Sequence, residues 1–170
     1  MNDIISMLGR GLSITLAGIG LSLATPLAAE QTGEEVRNVE LIRKGFDAWR
    51  DGTGSPYELL DDRAVWTIAG QSQGAGTYAD KEAFLREVIR PFNARMKSRL
   101  IPAVQRIYAD GDTVVVRFDA SGTASDGVVY TNSYAWFLEL REGRIVRAQA
   151  FFDSLAFDEL WRRVRPMGQR

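Results

Sequence analysis

Three dipeptides, Asp110-Gly111, Asp126-Gly127 and Glu142-Gly143, cut the second half of this chain into ribbons. Gly takes the positive φ that a tight hairpin needs, and Asp tolerates the neighbouring position. The stretches between them are rich in Val, Tyr, Phe, Trp and Ile. Such side chains suit a pleated, half-buried surface. The spacing predicts strands over Arg99–Ala109, Asp112–Thr123, Val128–Leu140 and Arg144–Phe152, joined as an antiparallel meander. Pro102 lies within the first of these and places it at an edge or a bulge.

The front half reads as helices. Thr32 and Glu35 have capping-box spacing. Val36, Val39, Ile42, Phe46 and Trp49 then recur near the helical period. Ser55-Pro56-Tyr57-Glu58 starts a second, short helix, and Ala64–Ala69 is a short strand. Asp80 caps a third helix striped by Phe84, Leu85, Val88, Ile89 and Phe92, which Pro91 terminates or kinks. Ser154 is placed to cap a closing helix. The fold class is therefore α+β, with a strongly bent antiparallel sheet wrapped around N-terminal helices and a short C-terminal helix.

Ahead of this lies an uncharged apolar stretch, Gly11 to Ala29, preceded by Arg10 and ending in Leu27-Ala28-Ala29 before Glu30. It reads as a signal peptide over 1–29, with one domain over 30–170 and an exported, periplasmic or secreted product. The alternative is an uncleaved anchor. A start at Met7 would give the leader a compact basic end.

The chain has neither His nor Cys. That removes the usual base near neutral pH, the commonest metal ligand, thiolate chemistry and disulfides. No metal and no cofactor are expected. A net charge of -1, from 21 basic and 22 acidic residues, argues against nucleic acid as a partner. The Gly70–Gly76 loop lacks the Lys-Ser/Thr of a phosphate cradle.

Acid–base work would then fall to carboxylates. Arg117 and Asp119 share a face of their strand, about 7 Å apart. Asp153 follows two Phe residues, so burial would raise its pKa. These three are the catalytic candidates. The plain alternatives are an ion pair on the outer face of the sheet and, for Asp153, a cap on the last helix. Trp66, Tyr78, Asn132, Tyr134, Trp136 and Phe151 are the substrate-binding candidates, with ordinary packing as their alternative.

Asn38-Val39-Glu40 through Trp49, Ala64-Val65-Trp66, Tyr130-x-Asn132-x-Tyr134-x-Trp136, and Glu142-Gly143-Arg144-Ile145 leading to Phe151-Phe152-Asp153 resemble the SnoaL-like, ketosteroid isomerase-related branch of the nuclear transport factor 2-like superfamily. The resemblance covers residues 36–165. It implies a cone-shaped fold with an apolar pocket for a small apolar molecule, and a homodimer through the sheet. Arg117-Phe118-Asp119 and Asp153 are similar to the Asp–Arg–Asp set of limonene-epoxide hydrolases, although Trp66-Thr67-Ile68 stands where those position their water with Tyr and Asn. Polyketide cyclases of this kind rely chiefly on one Asp, a role Asp153 can fill. Two functions follow. One is a cofactor-free enzyme doing Asp-mediated epoxide hydrolysis, cyclisation or isomerisation. The other is a non-catalytic ligand-binding or dimerisation module.

Overall fold

The computed structural model of the protein describes residues 32–166. The leader expected over 1–29 lies outside the described residues. No helix among the described residues is long and apolar enough to cross a membrane.

Helix α1 (Gly33–Asp51) begins at the expected capping box. Thr32 Oγ1 accepts from the Glu35 amide at 3.2 Å, and the Thr32 amide donates to Glu35 at 2.6 Å. Gly52, at φ 75°, closes the helix by donating to the carbonyls of Ala48 and Trp49. Ile42 and Phe46 are buried against the sheet, whereas Val36 is largely exposed. A 3-10 turn (Pro56–Leu59) then leads into β1 (Leu60–Ile68). Pro56 supplies the first helical φ there, but Ser55 makes no side-chain cap.

The meander consists of β3 (Ile101–Asp110), β4 (Thr113–Thr123), β5 (Val129–Arg141) and β6 (Arg144–Phe152). With β1 and the three-residue β2 (Gly76–Tyr78) it forms a six-stranded sheet in the order β2-β1-β6-β5-β4-β3. The sheet is curved and not closed, and it is mixed rather than wholly antiparallel. β1 pairs in parallel with β6, from Val65 opposite Arg147 to Ile68 opposite Ala150. A parallel pair needs a long crossover, and everything between β1 and β6 supplies it. β2 lies at the end of the Gly-rich stretch read as loop, and pairs Tyr78 with Trp66. Pro102 stands on β3, the edge strand.

The third helix carries Pro91 in its last turn, ending at Asn93, and is distorted just before it, as expected. Helix α2 (Lys81–Phe84) passes into a π-helical segment (Leu85–Ile89) and then into α3 (Arg90–Asn93). Pro91 has no N–H to give the Glu87 carbonyl. The ladder shifts by one, and the Arg90 N–H reaches Leu85. Helix α4 (Ser154–Arg163) is capped by Asp153, one residue earlier than expected.

Candidate ligand chamber

The inward face of the sheet and the helices close on a ring of aromatic side chains. Trp66 stacks on Phe84 with ring centroids 4.2 Å apart, and meets Trp136 edge-on at 5.0 Å. Tyr134 stacks on Phe118 at 4.7 Å, and Trp49 on Trp136 at 5.9 Å. Between these rings and the apolar side chains of Ile68, Val88 and Leu100 lies a chamber of about 50 Å³. None of the residues lining it is ionisable to a charge near neutral pH; the lining is aromatic and aliphatic throughout. The π-helical segment contributes Val88 and Ile89 to the wall. Trp49, Tyr57, Ile89, Phe92 and Leu100 also border an adjoining vestibule of about 320 Å³. Exposed Lys97, Ser98 and Arg99 edge that vestibule. Arg99 is fixed there by donating to the Trp49 carbonyl at 2.7 Å.

Trp66, Tyr57 and Tyr134 are lining residues that carry a polar atom. The indole N–H of Trp66, a residue only 2% exposed, has no hydrogen-bond partner among the described residues. An unpaired buried donor costs on the order of 1–3 kcal/mol. The other two are phenols. Burial pushes Tyr57 far above the ordinary tyrosine range. Tyr134 is also held well above it, first by burial, then by Tyr130 and the bond between them. Both phenols are therefore neutral donors across physiological pH.

Behind Tyr134 runs a polar chain. Its hydroxyl lies 3.2 Å from that of Tyr130, which accepts from Asn132 Nδ2 at 2.9 Å. Asn132 also donates to the Asp153 carbonyl at 3.0 Å and accepts from the Asp153 amide at 2.9 Å. Tyr130 is likewise raised by burial, an effect opposed by its bonds with Tyr134 and Asn132.

The structure divides the expected site residues into four groups, the last being Asp153 alone as the cap of α4. Trp66, Tyr134 and Trp136 line the chamber. Asn132 and Tyr78 do not line it: Asn132 is tied to Tyr130 and Asp153, and Tyr78 packs behind Phe84, donating to the Gly74 carbonyl at 2.9 Å. Arg117, Asp119 and Phe151 lie on the other face of the sheet, exposed to solvent. Strand alternation carries Val116, Phe118 and Ala120 inward and sends Arg117 and Asp119 outward. Asp119 is engaged there by Gln105 at 3.1 Å and Ser133 at 2.7 Å. Asp153 accepts at one carboxylate oxygen from the amides of Leu155 (2.9 Å) and Ala156 (3.3 Å). Asp119 and Asp153 border the same open outer hollow, and Arg117 does not. The Arg117–Asp119–Asp153 set is thus not assembled in the chamber.

Sequence reasoning missed Tyr57 as a lining residue of the chamber. Its signal was the Pro56-Tyr57 turn directly after α1, which folds the ring back beneath Trp49, centroids 5.9 Å apart. Trp49 and Phe84 were read only as helix stripes, yet they are walls.

The fold is α+β, with an apolar chamber between the curved sheet and the helices. The sequence profile of the SnoaL-like domain matches residues 42–148, and the chain belongs to that family. Protein YesE of Bacillus subtilis (strain 168), itself uncharacterized, is 30% identical over 122 residues, which cover 70% of this chain and 78% of that one. Among solved structures, Bal32a from a soil-derived mobile gene cassette superposes with a TM-score of 0.62 at 23% identity, covering 75% of this chain and 98% of its own. A Bacillus subtilis protein provisionally named an isomerase gives 0.57 at 26% identity, over 75% and 94% of the two chains. A protein from Jannaschia sp. CCS1 provisionally named a SnoaL-like polyketide cyclase gives 0.58 at 20% identity, over 78% and 96%.

Proposed function

We propose that this protein binds a small, uncharged, largely apolar molecule in the chamber between the sheet and its helices. The observation that carries this is a lining of aromatic and aliphatic side chains with no carboxylate, ammonium or guanidinium group. Entry of a charged ligand head would cost its hydration without an opposite charge to meet it. An apolar ring gains roughly 25 cal/mol for each Å² it removes from water. At about 50 Å³ the chamber alone is smaller than a benzene-binding cavity of about 150 Å³, so such a ligand occupies it together with the adjoining vestibule, with which it shares Trp49 and Ile89.

The test is titration with ethylbenzene, followed by methyl and indole NMR shifts. Shifts at Ile68, Val88, Leu100 and the Trp66 N–H are expected, with Val129 and Leu155 unmoved. Shifts confined to the outer face, or none at saturation, overturn the reading.

A catalytic role is a second reading, motivated by the buried neutral phenols of Tyr57 and Tyr134 and by the enzyme names of two structural neighbours. In that reading the phenols, not Asp119 or Asp153, donate to a polarised oxygen of the substrate. Turnover on an identified substrate would survive Asp153→Asn and fall with Tyr134→Phe.

Export and dimerisation belong to the same proposal. Leader cleavage predicts a mature N-terminus at or next to Glu30 in protein recovered outside the cytoplasm; retention of residues 1–29 there would count against it. A second copy would cover the outer sheet face, where Phe137 and Phe151 are exposed and lie edge to face at 5.7 Å.

A further inference from the structure

The chamber and the vestibule share walls but differ in charge. The chamber lining has none, whereas the vestibule is bordered by Lys97 and Arg99 and by no carboxylate. Both cations belong to residues 95–99, a segment with three basic residues and no acidic one. No salt bridge among the described residues engages any of the three. Arg95 is buried, lies over the Trp161 ring at 3.8 Å and does not border the vestibule. Lys97 and Arg99 are exposed. Arg99 uses one N–H on the Trp49 carbonyl. The acidic group near it is Asp51, held below its ordinary value first by Arg50 and last by Arg99, and Asp51 is already paired with Arg50 at 2.9 Å. The segment itself is fixed. The Lys97 and Ser98 amides donate to the Thr123 carbonyl at 2.8 and 3.1 Å, and Ser98 Oγ accepts from the Thr123 amide at 2.8 Å. Gly122 lets it approach, since a Cβ there would come within 2.9 Å of Met96 Cε and 3.0 Å of the Arg99 carbonyl oxygen. The backbone carrying the two cations is therefore set before any ligand arrives, and less ordering remains on binding.

We infer that the vestibule is an anion subsite: it takes an amphiphile whose uncharged apolar body fills the chamber and whose carboxylate end stays at the vestibule edge, met by Lys97 and Arg99. This rests on the reading of the chamber as a ligand site and goes beyond it at the ligand's other end. A carboxylate inside the chamber would meet no countercharge. At the edge it keeps part of its water and gains two cations. An ammonium end would be repelled by the same pair, and a hydroxyl end would gain no charge attraction. Trp49, Tyr57, Phe92 and Leu100 border both spaces, so a chain leaving the chamber stays against apolar surface until it reaches the cations.

The test compares 4-phenylbutyrate, 4-phenylbutan-1-ol and 4-phenylbutylamine, which share one ring and spacer and differ in the charge at the end. Each is titrated into wild-type protein and into Lys97→Glu, with the Val88 and Leu100 methyl shifts reporting the chamber. At low salt the carboxylate is expected to bind wild type about fivefold tighter than the alcohol, the upper range for an exposed ion pair, and the amine about fivefold weaker. Near 1 M sodium chloride the Debye length falls to about 3 Å and the carboxylate's advantage should shrink to within about twofold. Lys97→Glu should reverse the order, so that the amine binds more tightly than the carboxylate. A carboxylate that binds wild type no tighter than the alcohol at low salt overturns the inference. So does an advantage that persists undiminished in high salt or in Lys97→Glu. Those results leave the chamber standing so long as the alcohol binds. If the alcohol and ethylbenzene both fail to bind the wild type, the chamber reading falls and this one with it. Should Lys97→Glu not fold, the salt series on the wild type still decides.

Discussion

Replacement of Asp153 separates a capping carboxylate from a catalytic one. Its carboxylate accepts from the first free amides of α4, at 2.9 and 3.3 Å. Asp153→Ala leaves those amides to water and removes the negative charge at the helix start, a loss of about 1 kcal/mol within a range of roughly 0.5–2. For a domain of this size that is a fall in Tm of roughly 3–5 °C. Asp153→Asn keeps the accepting oxygen, and Asn caps as well as Asp, so its loss is a few tenths of a kcal/mol. The contacts of the Asp153 backbone with Asn132 survive both changes. Ligand affinity should therefore be unchanged in either protein. Thermal unfolding followed by circular dichroism, paired with ethylbenzene titration, reads both quantities. The reasoning is refuted if Asn destabilises as much as Ala, or if Asn abolishes ligand binding or turnover while Tm is preserved.

Other consequences are as direct. Without His or Cys, stability should be nearly flat between about pH 6 and 9. Above the ordinary tyrosine value of 10.0 the unfolded chain loses phenolic protons that Tyr57 and Tyr134 retain when folded. Stability must then fall with rising pH, and urea midpoints at pH 9 and 11 check the sign; an equal or higher midpoint at pH 11 contradicts it. Gly52→Ala places a Cβ at φ 75° and 2.8 Å from the Arg99 guanidinium. It should cost about 1 kcal/mol for the backbone alone and loosen the vestibule edge; unchanged stability in a chemical melt would contradict this. Phe137→Glu charges the outer sheet face, so a dimer held through that face should become a monomer by light scattering, with Tm within about 2 °C at constant protomer concentration.

Much of this architecture is legible in the chain because hairpin turns and two-residue alternation are local. Glu142-Gly143 forms its turn with φ of 50° and 75°, and β4 alternates as its residues imply. That alternation already set Arg117 and Asp119 opposite Phe118. Reading them as catalytic, from their shared face and from the resemblance to epoxide hydrolases, ran against their own strand's polarity. Phe151 has a different cause. On an unbroken β6 it would share the face of Ile145, but the β5–β6 register shifts between Glu139 and Leu140, with Arg147 opposite Glu139 and Ile145 opposite Leu140. The irregularity puts Ile145 inside and Arg147, Gln149 and Phe151 outside. Neither that shift nor the parallel pairing of β1 with β6 leaves a mark in local composition. Tyr57 and the Asn132 chain depend on long-range packing, which periodicity does not report.

The most direct test of the chamber is a crystal structure with 4-bromoacetophenone, located by the anomalous signal of bromine. The account predicts bromine density in the interior between Trp66, Tyr134 and Trp136, or leading from it into the vestibule. Bromine density in the outer hollow beside Asp119 and Asp153, with the chamber unchanged, would contradict it.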